Sequence, residues 1–266
     1  MSRPMQSFTD QTGYTLQLRH RPQRIVSLVP SQTELLFDLG VGERVVGVTL
    51  FCIHPAEPLK TITRVGGTKK VNMRRLFALK PDLIIGNKEE NSKEQIETLR
   101  KACPTWISDV HTLEDALAMI RSVGGLTGAT AHEEMVAEIG RRFARMRAPE
   151  HPLRTAYLIW QDPVMVAGSQ TFIDAMMHHA GLQNIFGHLT RYPEITMEAL
   201  AAAQPEVVIL SSEPFSFDEA HRPVFQEACP MARVILADAT YFSWYGSRLL
   251  RAPAYFDHLL TYLEMP

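Results

Sequence analysis

Residues 73–85 (MRRLFALKPDLII) and residues 197–209 (MEALAAAQPEVVI) say the same thing in different letters. Each runs as a short helical stretch, a proline, an acidic residue and an apolar run. Proline cannot continue a helix, because it lacks the N–H and its ring clashes with the preceding turn. A short apolar run directly after such a stop suits a strand buried on both faces of a parallel sheet. Parallel strands need crossovers, which are usually helices, so each copy belongs to its own α/β unit. The spacing predicts a duplicated α/β plan with two similar lobes, and a ligand taken between them.

Composition narrows the partners. The 266 residues carry 27 Lys and Arg against 29 Asp and Glu, a net charge of −2, with 45% apolar residues. No basic surplus exists to neutralise phosphates, which argues against nucleic acid. No apolar run reaches the roughly 18 residues that crossing a bilayer requires. Residues 1–21 lack an apolar signal-peptide core, so an export signal is not expected in this stretch and a cytoplasmic location stays open. Cys52, Cys103 and Cys229 are too far apart for zinc spacing and read as small buried thiols.

Along the chain, residues 1–22 read as a leader or hairpin, turning at Thr12-Gly13. An N-terminal α/β lobe is expected over 23–128, a connecting backbone helix over 129–148 and a C-terminal α/β lobe over 149–266. Ser31 and Glu34 have the S-x-x-E spacing of a capping box, as Thr130 and Glu133 have T-x-x-E. Gly124, Gly125 and Gly128 are expected to end the helix that precedes the connector. In that connector, Met135, Val136, Ile139, Phe143 and Met146 recur on one face.

With RIVSLVPSQTEL at 24–35, VVGV at 45–48 and LKPDLI at 79–84, nearly all of the chain after residue 23 resembles the helical-backbone (class III) substrate-binding proteins of ABC importers. That family captures vitamin B12, haem, ferric siderophores or metal ions. The resemblance implies a monomeric, non-enzymatic, periplasmic protein of two lobes joined by one helix. Its partners would be a small-molecule ligand and an ABC permease. No intrinsic cofactor is implied; the ligand brings its own iron or cobalt. An acidic residue on each lobe docks on the permease in that family. Glu198 stands at the second-lobe position, whereas Arg74 reverses the charge at the first. Thr68 and Asn87 stand where B12-binding members place aromatic side chains.

In open α/β sheets, ligands bind beyond the carboxyl ends of the strands. That rule selects Pro30 and Ser31, where a helix N-terminus faces outward; Phe51 and His54, with Cys52 and Ile53 between them; and Asn87, Lys88, Glu89 and Glu90. In the second lobe it selects Trp160, then Glu213 and Phe215, then the aromatic run Tyr241, Phe242, Trp244 and Tyr245 with Arg248 behind it. Arg191 and Tyr192 belong to a loop that would line the rim. The aromatics would stack on a flat ligand and Arg248 would pair with its carboxylate or phosphate. His54, Glu89 and Glu213 form a candidate metal donor set. The adjacent helical residues His178 and His179 diverge and make a poor pair. No G-x-S-x-G, P-loop, H-E-x-x-H or G-x-G-x-x-G after a strand is present. A chelatase-like enzyme, or a repurposed binding scaffold handling a metal or tetrapyrrole, is the alternative.

Overall fold

The computed structural model describes residues 5–147 and 149–265. The first four residues of the expected leader, Ala148 at the end of the expected connector and Pro266 lie outside the described residues. The chain divides into two compact units. Unit 1 comprises residues 1–110, 114–138 and Tyr245–Arg248; unit 2 comprises 111–113, 139–244 and 249–266.

Unit 1 opens with an antiparallel hairpin, β1 (Gln6–Thr9) and β2 (Thr15–Leu18). Asp10 holds its turn, accepting hydrogen bonds from Thr12 N and Tyr14 N at 2.9 Å each. A parallel sheet follows, built from β3 (Ile25–Ser27), β4 (Val45–Val48), β5 (Thr63–Arg64), β6 (Leu83–Asn87) and β7 (Thr105–Ser108) in the order β5-β4-β3-β6-β7. Its crossovers carry α1 (Pro30–Asp38), α2 (Ala56–Leu59), α3 (Met73–Ala78) and α4 (Lys93–Ala102). Val26, Leu28, Val65, Leu76, Ile84 and Leu99 pack as its core.

Two helices come next, α5 (Leu113–Thr127) and α6 (His132–Ala144), and the division between the units falls within α6, after Glu138. The expected stop at Gly124 does not occur. The helix runs on to Thr127, and Gly128, at φ +68°, ends it. Gly124 answers a packing need instead. A Cβ there would fall 2.2 Å from the His132 ring. The Ser31–Glu34 capping box also fails, for a local reason. Pro30 has its φ preset for a first helical position, so the helix begins there with Val29 as cap and Ser31 lands inside the first turn.

Unit 2 repeats the plan with β8 (Leu153–Trp160), β9 (Met165–Val166), α7 (Phe172–His179), β10 (Leu182–Asn184), α8 (Met197–Ala202), β11 (Val207–Ser211), α9 (Arg222–Ala228), β12 (Arg233–Ala237), α10 (Thr240–Ser243) and α11 (Ala252–Glu264). Its parallel strands run β10-β8-β11-β12, with β9 antiparallel on β8. Ala156, Leu158, Val208, Leu210, Phe225 and Val234 lie in its core.

The duplicated phrase turns out to be a clamp on strand starts. In unit 1, Asp82 accepts from the Gln23 and Arg24 backbone N–H groups at 2.8 Å each, and Arg24 returns Nε and Nη2 to the Leu79 carbonyl at 2.8 and 2.7 Å. In unit 2, Glu206 accepts from Arg154 N at 2.8 Å, and Arg154 Nη2 donates to the Ala203 carbonyl at 2.6 Å. The carbonyls so used close α3 and α8, where no further helical N–H exists to bond them. Lys80 and Gln204, each just before the proline, adopt the same left-handed φ of 48°. A preceding proline position disfavours the helical region, so each chain reversal is forced by the same two residues.

Candidate functional site

At the carboxyl ends of unit 1's strands, the segment after β4 is held from below. The Cys52 thiol is buried between Thr33 Oγ1 at 3.1 Å and Thr49 Oγ1 at 3.2 Å. Burial is the main cause pushing this thiol's pKa up. Arg64 Nη1 donates to the carbonyls of Thr49 and Cys52 at 2.9 and 2.6 Å. With Cys52 turned inward, its neighbours turn outward. Leu50, Phe51 and Ile53 are 60%, 58% and 54% exposed. Three adjacent large apolar side chains left in water at a strand end mark a surface that expects a partner. His54 follows, half-buried.

Within the polar run after β6, Asn87 has a structural job. Asn87 is buried; its Oδ1 accepts from Glu89 N at 2.8 Å and Glu90 N at 3.0 Å, and its Nδ2 donates to Ser108 Oγ at 2.9 Å. Asn91 Oδ1 accepts from Asn87 N at 2.9 Å. Asn87 therefore builds the turn that presents Glu89 and Glu90. Lys88 is exposed and pairs with Asp109 at 2.6 Å.

The N-terminus of α1 is covered by the chain's own Tyr245–Arg248 segment. A Cβ on Gly246 would sit 2.8 Å from Ser31 O, and Ser31 is buried. Pro30 stays half-buried beside it. Tyr245 donates its hydroxyl to Glu90 at 2.9 Å, and burial first, then the Glu90 charge, pushes this phenol well up. Arg248 donates to both Glu34 oxygens at 3.0 and 2.7 Å, with both side chains buried. Arg248, expected as a ligand's counter-ion, has its guanidinium beneath the surface against Glu34.

Unit 2's rim also separates wall from core. Trp160, at the end of β8, is 38% exposed, with Nε1 donating to Asp162 O at 3.1 Å and its ring edge-on to Phe215 at 5.5 Å. Glu213 Oε1 accepts from Ser243 Oγ at 2.7 Å and Trp244 Nε1 at 2.8 Å. Phe242 is fully buried against Tyr157 and Phe256, while Tyr241 stacks on Tyr255 at 4.2 Å. The aromatic run expected to stack on a ligand is thus largely internal: Phe242, Trp244 and Tyr245 are buried. Arg191, at φ +65°, donates Nη1 to Gln170 O at 2.8 Å and lies beside Tyr192.

Among the described residues, no group of three or more His, Cys, Asp or Glu side chains is gathered so as to hold a metal ion. A cavity of about 750 Å³ does exist in unit 1, but at the amino ends of the strands, lined by Arg24, Phe37, Glu43, Val46, Ile62 and Leu79. The strand-end rule favours the opposite rim. Leu50 was missed in sequence because it reads as the last residue of a buried strand. A proline or glycine would have marked the strand's end; here the apolar run simply continues past it.

No described helix is long and apolar enough to cross a membrane. A sequence model of a family described as periplasmic binding protein matches residues 25–228. The vitamin B12-binding protein of Pectobacterium atrosepticum is 28% identical over 242 residues, covering 87% of this chain and 86% of that protein. The apo periplasmic heme-binding protein RhuT from Roseiflexus sp. RS-1 superposes with a TM-score of 0.77 at 26% identity, over 91% of this chain and 98% of that one. CeuE of Helicobacter pylori, in a Ni-His complex, shares the fold with a TM-score of 0.80 at 16% identity, over 95% of this chain and 87% of that one.

Proposed function

Since the chain belongs to the periplasmic binding protein family, we propose that it is an ABC-importer substrate-binding protein whose cargo is a metal-bearing tetrapyrrole of the haem or cobalamin class. The outward-facing strip Leu50, Phe51 and Ile53 at the carboxyl ends of unit 1's sheet carries this reading. A flat, largely apolar ligand removes such a strip from water, at about 25 cal/mol per Å² buried. Relatives named for vitamin B12 and for heme support the ligand class. Glu89 and Glu90 supply polar contacts beside the strip. No observation favours a chelatase.

Binding is read by tryptophan fluorescence, corrected for inner-filter absorption, and by calorimetry against haemin, aquocobalamin and a ferric siderophore. One tetrapyrrole should bind saturably with Kd on the order of 1 µM or tighter. Phe51→Ala should weaken it about tenfold, the loss expected for an aromatic face worth about 1–1.5 kcal/mol. Binding of the siderophore alone, or conversion of the ligand, would remove the reading.

The permease partner follows from the same membership. Glu198 is exposed in the first turn of α8, and the N–H of its own backbone, then the Thr196 hydroxyl, hold its carboxyl below the usual range. Arg74 is exposed at the equivalent place on α3. We infer a permease surface with a base facing Glu198 and an acid facing Arg74. Arg74→Glu and Glu198→Lys should each weaken association, more at low salt than at high. Reversals that leave association unchanged would take α3 and α8 out of the interface.

A further inference from the structure

The parallel sheet of unit 1 has two edges, and they are managed differently. At one, β5 is two residues long, too short to template another strand. At the other, β7 runs through Thr105, Trp106, Ile107 and Ser108, all buried, and its first three residues are of β-branched and aromatic types that favour extended backbone. The even-numbered positions turn their backbone groups toward β6: Ile84 N donates to Pro104 O and Lys88 N to Ser108 O, both at 2.9 Å. Ile107 and Asp109 therefore turn theirs outward, where an edge strand offers N–H and C=O groups to another strand.

Here those groups are taken by the turn of the β1–β2 hairpin. Gln11 N donates to Ile107 O at 3.2 Å, Ile107 N donates to Asp10 Oδ2 at 3.2 Å, and Asp109 N donates to Gln11 Oε1 at 3.1 Å. Two side-chain oxygens and one backbone N–H thus imitate a neighbouring strand. Gln11 Nε2 ties the turn to α5 through Asp115 O at 2.9 Å. Arg100 of α4 bonds Asp10 and, at 2.8 Å, Thr12 Oγ1, with its guanidinium 4.1 Å from the centre of the Tyr14 ring. Beyond the turn the hairpin is lightly held. Within its strands Leu16 and Leu18 alone are buried, and a two-stranded ribbon of this length is marginal by itself. The cover over β7 is fastened at Asp10 and Gln11.

We propose that Asp10 and Gln11 guard a latent strand-addition surface on β7, and that the partner this edge accepts, once the hairpin lifts, is β7 of a second copy of the chain. Self-complementarity points to the second copy. About a twofold axis two β7 edges meet antiparallel, and Ile107 set opposite its counterpart forms a pair in which each residue both donates and accepts. Each Ile107 then recovers the donor and the acceptor that it loses when the turn leaves, and the two sheets become one. The hairpin is the device that keeps the copies apart. The inference does not depend on the cargo.

The test uses the full chain carrying Asp10→Ala together with Gln11→Ala, followed by residue-resolved amide hydrogen exchange and by light scattering for mass. In dilute solution the double variant should exchange the Ile107 and Asp109 amides at least about tenfold faster than wild type. Trp106 and Ser108, which face β6, should stay as protected as before, and that contrast also certifies the fold. On concentration the double variant should form a dimer, and Ile107 and Asp109 should regain protection as it forms, whereas wild type stays monomeric. If the double variant loses protection at Trp106 and Ser108 as well, Gln11→Ala alone carries the comparison, with Asp109 as the amide to follow and the same dimer as the criterion. Unchanged exchange at the outward amides would overturn the guard. Faster exchange with no dimer at any concentration, or a dimer in which the outward amides stay unprotected, would overturn the strand-addition surface and leave the turn as a cap.

Discussion

Arg248→Ala is expected to destabilise the protein by about 3–5 kcal/mol, the loss typical when one member of a buried ion pair is removed. Glu34 would be left as a carboxylate at 6% exposure with its two guanidinium donors gone, at 3.0 and 2.7 Å in the intact protein. In a chain of this size each kcal/mol moves the melting temperature by a few degrees, so a fall on the order of 10 °C is expected. The double change Glu34→Gln with Arg248→Met should recover a large part of it, because two neutral side chains leave no buried charge unopposed. Thermal and urea unfolding of the three proteins decide the matter. A single variant within about 1 kcal/mol of wild type would mean that water reaches Glu34 and that the pair is not sealed.

The second large effect is on the alkaline side. Tyr157 and Tyr245 are buried and their phenols are pushed well above the ordinary value of 10.0, burial being the largest cause for both. Tyr255 is raised for the same first reason, and so are Cys52 and Cys103, the latter to about 12 from an ordinary 9.0. These groups are neutral when protonated, so raising the pKa means that the folded chain keeps a proton the unfolded chain has released. Stability must then fall as pH rises. Their contribution is complete below about pH 9 for the thiols and pH 10 for the phenols, and is lost progressively above. Each retained proton steepens the fall by about 1.4 kcal/mol per pH unit, so Tyr157 and Tyr245 alone account for about 3. Urea midpoints measured from pH 7.5 to 11 should be level at first and drop steeply beyond pH 9 to 10. Tyr245→Phe should flatten the drop by one proton. A midpoint that stays level to pH 11 would show that these side chains ionise freely in the folded state.

What could be read from sequence was what local rules govern. The phrase at 73–85 and 197–209 announced helix, stop and strand, and the structure adds why an acid follows each proline: Asp82 and Glu206 bond the backbone N–H groups that start β3 and β8. Local rules erred where a neighbour outranked them. Ser31 looked like a cap until Pro30 started the helix one residue sooner, and Gly124 looked like a stop until His132 needed its missing Cβ. The rim was less legible. Glu34 and Arg248 are 214 residues apart, and nothing in the spacing of either tells that they meet. Density of aromatics pointed to 241–245, but Phe242 and Tyr241 answer to Tyr157, Phe256 and Tyr255, which sequence distance hides. Phe51 and Trp160 are exposed at strand ends, where the strand-end rule put them, because that rule depends on order along the chain and not on partners.

The clamps at Asp82 and Glu206 act where central strands begin, and the candidate ligand surfaces lie where strands end. Loops can therefore be exchanged at the carboxyl ends without touching the atoms that set strand register. A lineage built this way is free to change cargo by small steps, each tolerated because folding instructions and recognition chemistry occupy opposite ends of the same strands. It also explains how one chain can keep a phrase twice while its two rims share almost no side chains.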